Sequence, residues 1–138
     1  MDTIDSLRAD LRYYRNLLQN KQNEKQGYLD VANEIAAVYQ RLADDKKTIK
    51  GYRDSVKTFV KEKYDSFTGH QFSKEYKPEA QTIVDSYNTL IKNIDSNMDK
   101  LNLLRASYEN KANMCNGLIG YFQSMVNTLE HSIQNLFN

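Results

Sequence analysis

The chain has 138 residues, 40% hydrophobic and 27% charged, with 19 basic and 18 acidic side chains for a net charge of +1. That composition argues against a disordered or membrane-embedded chain. The near-balance of charge argues against nucleic acid as a ligand, because phosphate binding needs a basic excess on one face.

In chain order, the start Met1-Asp2-Thr3-Ile4-Asp5 is acidic and no apolar run follows it, so no secretory signal is expected. No segment reaches the ~20 apolar residues of a membrane span, and direct membrane insertion is not expected. The expectation is a cytoplasmic protein that leaves, if at all, by a route needing no cleavable signal.

Apolar residues then recur at three- and four-residue steps, the helical period. The first series is Leu7, Leu11, Tyr14 and Leu18, resuming at Tyr28, Ala32, Ile35, Tyr39 and Leu42 and continuing through Ile49, Tyr52, Val56 and Val60. Between its two parts lies the polar run from Asn20 to Gly27, which keeps the heptad phase. If the phase survives, a helix is expected to survive with it, although Gly27 costs about 1 kcal/mol against alanine and marks the best place for a bend.

The phase fails between Tyr64 and Ser73, where Gly69 sits among Asp, Ser and Thr residues in a turn-like setting. Gly69 can take a positive φ at the helix end, Ser73 can cap the next helix, and Pro78 must lie in or near its first turn or else kink it. The second series runs Ile83, Tyr87, Leu90, Ile94, Met98, Leu101, Leu104, Tyr108, Ala112, Cys115, Ile119 and Phe122. It ends with Met125 or Val126, Leu129, Ile133 and Leu136.

No alternating strand pattern occurs, so the fold expected is all-α: an elongated antiparallel helix–turn–helix hairpin over 1–138. Its first helix spans about 3–63, its turn 64–73 and its second helix about 74–137. A helix of this length would reach roughly 80 Å at 1.5 Å per residue.

Chemistry is hard to place on this pattern. Neither His70 nor His131 has a glutamate three residues before it, the inward metal-binding spacing of helical bundles. Cys115, His70 and His131 have no metal-ligand spacing. No glycine-rich phosphate cradle occurs. Neither an enzyme nor a cofactor is expected. Cys115 falls on the apolar stripe and reads as a small buried hydrophobe before a reactive thiol. His70 reads as an exposed loop residue before a pH sensor, and Tyr13-Tyr14 as core and seam edge before a ligand-stacking pair.

The C-terminal segment 110–138 carries only Lys111 and Glu130 as formal side-chain charges, against a broad set of apolar residues. That stripe exceeds a two-stranded seam, which uses about two positions in seven. The facing residues Leu7 to Leu18 can cover only one side of it. An exposed apolar band usually marks a protein interface, so Leu118, Ile119, Phe122, Met125, Val126, Leu129, Ile133 and Leu136 are the candidate partner surface. Self-association would satisfy the same physics.

The turn Phe67-Thr68-Gly69, with Phe72 three residues on, matches the place of a Trp-x-Gly turn between two helices, Phe67 standing for Trp. In this the chain resembles the helical hairpins of the Gram-positive type VII secretion pathway, and most of all the YwqH-like accessory proteins encoded beside LXG toxins. The resemblance covers nearly the whole chain, on a motif of three residues. It implies a chaperone-like targeting factor that binds the helical N-terminal domain of an LXG toxin, together with a second small helical protein. The pathway's Tyr-x-x-x-Asp/Glu and Phe-x-x-x-Asp signals are missing here, so any export would use a partner's signal or one assembled jointly. The alternative is a self-assembling coiled-coil scaffold. A membrane-surface role is disfavoured, since the apolar segment lacks flanking Lys and Arg.

Overall fold

A computed structural model describes residues 3–66 and 77–137. The turn motif Phe67, Gly69 and Phe72, with Ser73 and His70, lies outside the described residues. The protein is an all-α helical hairpin in which α1 (Thr3–Ser66) and α2 (Lys77–Asn135) pack against each other.

α1 runs unbroken for 64 residues, with Asp5 in its first turn and Lys63 in its last, the placement that complements the helix dipole. It continues as helix to Ser66, past the expected end near 63, because no glycine or proline falls between Gly51 and Gly69. α2 has Pro78 in its first turn, where the missing N–H costs no hydrogen bond. It stops at Asn135 rather than 137. There the Leu136 N–H donates to the Ile133 carbonyl and the Phe137 N–H to the Gln134 carbonyl, both at 3.1 Å, tightening the final turn.

The polar run 20–27 stays helical because its side chains pair along the helix. Lys21 Nζ meets Glu24 Oε2 at 2.8 Å, Gln19 Nε2 donates to Asn23 Oδ1 at 2.9 Å, and Gln26 Nε2 donates to Asp30 Oδ1 at 2.9 Å. Such three- and four-residue pairs each add a few tenths of a kcal/mol to a helix, at about 0.2–0.5 kcal/mol. Gly27 and Gly51 sit inside α1 with nothing within 4 Å of a Cβ built on either. Gly27→Ala with Gly51→Ala is therefore expected to raise the thermal midpoint by about 5–10 °C, from about 1 kcal/mol of helix propensity at each site. Circular dichroism melting checks this, and an unchanged or lowered midpoint contradicts it.

Contacts gather into two compact units, the first made of Met1–Glu34 with Leu104–Asn138 and the second of Ile35–Leu103. In the first, the antiparallel register is set by aromatic pairs. Tyr14 and Phe122 lie 6.4 Å apart, and two heptads further along α1 and back along α2, Tyr28 and Tyr108 lie 6.3 Å apart. Its buried residues are Leu11, Ala32, Ala112, Cys115, Val126 and Leu129. Leu11, Val126 and Leu129 form one cluster, with Leu7, Tyr14, Leu18 and Ile133 packed around it. In the second unit Ile35, Val84, Ile91, Ile94 and Met98 are buried. Lys46 pairs with Asp95, and Arg53 Nη1 donates to Asn88 Oδ1 at 3.0 Å. No helix among the described residues is long and apolar enough to cross a membrane.

Candidate functional site

The apolar surplus of α2 resolves into two faces within the first unit. The inward face holds Val126 and Leu129, 4% and 9% exposed, with Ile133 packed on their cluster. Phe122 belongs to it through Tyr14, and Ile119 is half-buried. Of the eight residues read from the sequence as partner surface, Val126, Leu129, Ile133 and Phe122 sit in or against the hairpin's own core, and Ile119 shares their helical phase. The outward face holds the other three, Leu118 and Leu136 at 46% and 48% exposed and Met125 half-buried. Two further residues join it that the sequence pattern left off the interface, Met114 at 79% and Tyr121 at 52%. The signal for them was present in the steps of four, three and four residues from Met114 to Leu118, Tyr121 and Met125. It was masked by the stronger seam of Cys115, Ile119, Phe122 and Val126 one position on.

The surplus is one-sided. Across α2 from the outward face, the flank is built of Glu109, Asn116, Gln123 and Asn127, all exposed and polar, with Gln123 Nε2 donating to Asn127 Oδ1 at 3.0 Å. No charged side chain occurs on α2 from Ala112 to Leu129. Ring contacts anchor the middle of the apolar side, with Tyr121 and Phe122 tilted at 5.7 Å and Tyr13 and Tyr14 in an edge contact at 5.2 Å. The Tyr14 hydroxyl is pushed above the ordinary tyrosine value, chiefly by the negative charge Tyr121 would carry beside it and next by burial.

Charges at the edge of this face are closed within the hairpin. Lys111 Nζ lies 4.7 Å from the Tyr108 ring centroid and 6.0 Å from that of Tyr28, a cation–π arrangement. Arg15 and Glu130 pair at 2.7 Å across the helices. A shallow cleft lined by Lys21, Glu24, Tyr28, Lys111, Met114 and Cys115 continues the face toward α1. In it the Lys21 hydrogen bond holds the Glu24 carboxyl below its ordinary value of 4.5, and Glu24 raises Lys21 in return.

A depressed carboxylate contributes stability above its unfolded-state value, and that contribution is lost as pH falls through the folded value. Lys21→Met is thus expected to return the Glu24 titration upward, toward 4.5, in a carbon-detected NMR titration. A Glu24 midpoint that does not move would show that the pairing has no weight in solution.

Cys115 is buried, its thiol donating to the Lys111 carbonyl at 3.4 Å, in agreement with its reading as a small hydrophobe. A separate groove in the second unit is lined by Val56, Phe59, Val60, Ala80 and Ile83, with Phe59 and Ile83 about half exposed. Among the described residues no group of three or more His, Cys, Asp or Glu side chains is gathered as a metal site. Comparison of the chain with family models, with curated proteins and with solved structures finds no match in any of the three.

Proposed function

We propose that the chain is a chaperone-like accessory factor that binds the helical N-terminal domain of an LXG toxin and helps direct it to the type VII secretion machinery. A second small helical protein completes the complex. The observation that carries this reading is the one-sided outward face of α2, where Met114, Leu118, Tyr121, Met125 and Leu136 stand in or near water beside a polar flank. An amphipathic helix laid along such a face recovers about 25 cal/mol for each Å² of apolar surface it covers. The turn sequence Phe67-Thr68-Gly69 supports the choice of partner through its likeness to the Trp-x-Gly hairpins. On this reading the chain works in the cytoplasm and leaves, if it leaves, with its cargo.

Co-expression with the N-terminal domain of a neighbouring LXG toxin tests the proposal. A stable complex that elutes together at micromolar concentration is expected. Separate elution, with the chain in large open-ended assemblies, would overturn it in favour of the second reading, a self-assembling coiled-coil scaffold. The charge-free run from Ala112 to Leu129 is the feature that keeps that second reading in play.

A further inference from the structure

We infer that the outward face of α2 is a self-pairing surface, on which a second copy of this chain docks with its own α2 running antiparallel. The absence of charge on this face favours a second copy. A two-fold contact sets a patch against itself, so near the axis every charge meets its own kind. A face meant for a different protein is free to carry charge, and partner choice ordinarily uses it. From Ala112 to Leu129 α2 carries none, and the nearby Lys21–Glu24 and Arg15–Glu130 charges are already paired within the hairpin.

The register of the face favours it as well. The outward positions Ser107, Lys111, Met114, Leu118, Tyr121, Met125, Thr128 and Ser132 follow steps of four, three, four, three, four, three and four. That series reads the same in both directions. Reversal about the Ile119–Gly120 bond takes Leu118 to Tyr121, Met114 to Met125, Lys111 to Thr128 and Ser107 to Ser132. An antiparallel helix pair on a two-fold axis makes these pairs, each of them twice. Apolar meets apolar at the centre, hydroxyl meets hydroxyl at the ends, and no like charges meet. The Lys111 ammonium, drawn over Tyr108 and Tyr28, leaves its aliphatic stem against Thr128 of the second copy.

Area sets the strength. Met114, Leu118 and Tyr121 are 79%, 46% and 52% exposed. At about 200 Å² for a fully exposed side chain of this size, they bring on the order of 400 Å² per copy. Two copies together bring about 800 Å², just below the roughly 1,000 Å² at which stable specific interfaces begin, the range of weak and transient contacts. The dimer is accordingly reversible, with dissociation in the micromolar range, on the order of 1–100 µM. It covers the face in the free protein and yields it to a tighter helical partner. The inference holds for the purified chain alone, whatever protein that partner is, so its failure and that of the toxin reading are separate results.

Sedimentation equilibrium on the full-length chain tests it. The wild type is expected to shift from 16.1 kDa toward twice that mass as concentration rises. Met114→Glu and Met125→Lys should each weaken association by about a hundredfold, from a charge left unpaired in the contact, with helical content unchanged. Combining them in one chain should restore the dimer, because the carboxylate introduced at position 114 of each copy then faces the ammonium introduced at position 125 of the other. Within one chain the two positions are about 16 Å apart, at 1.5 Å per residue, too far to pair. A wild type that stays at 16.1 kDa up to several hundred micromolar, single variants that dimerise undiminished, or a double variant that stays monomeric would each overturn the inference.

Discussion

Leu129→Lys is expected to unfold the end of the hairpin formed by the chain termini, whereas Asn127→Lys, two residues away, is expected to leave it intact. Leu129 is buried in one cluster with Leu11 and Val126, and Asn127 lies on the exposed polar flank. Truncating a buried leucine alone costs about 2–5 kcal/mol, and a lysine there adds an ammonium with no partner. Two helices enclose little interior, and no side chain among the described residues is completely buried at large volume. A loss of that size is therefore a large part of the total, which for any domain is only about 5–15 kcal/mol. The thermal midpoint should fall by about 10 °C or more, with helix signal lost in circular dichroism. A midpoint within about 2 °C of wild type would show that this cluster does not hold the termini together.

Leu118→Glu is expected to have the opposite profile, abolishing partner binding while leaving the hairpin unchanged. Its side chain is 46% exposed, at the middle of the outward face, and it takes no part in the Leu11–Val126–Leu129 cluster. A carboxylate there remains solvated in the free chain and is stripped of water only when a helix docks. Desolvating it without a partner weakens binding by about a hundredfold or more. Gln123→Glu places the same charge on the polar flank and should bind as wild type. Titration calorimetry against the toxin domain decides the matter. Undiminished binding by Leu118→Glu would move the interface off this face, and the groove at Phe59 and Ile83 would then be the next surface to charge.

The contrast between these two leucines marks where sequence reading reached its limit. Both belong to the same wide stripe, and in the sequence both read as partner surface. α1 fills only the sector of α2 that faces it, and Leu7, Leu11, Tyr14 and Leu18 take up Val126, Leu129, Ile133 and Phe122 there. Leu118, Met125 and Leu136 lie off that sector. Which part of a stripe is consumed depends on where the neighbouring helix sits around it, and periodicity along one chain does not contain that angle. The polar run 20–27 is a second case. The heptad phase allowed the helix to continue, but the Lys21–Glu24 and Gln26–Asp30 pairs that carry it through became visible only with side chains in place.

The sequence by itself determined the all-α class, the antiparallel hairpin, the restriction of Pro78 to a helix start or a kink, and the burial of Cys115. Each follows from local rules: the helical period, the backbone limits of proline, and the phase of an apolar position. Only the tertiary structure decided which apolar residues of α2 are spent inside the hairpin and which are left for company. Burial is a property of two surfaces brought together, and the second surface, α1, lies about a hundred residues away along the chain from the one it covers.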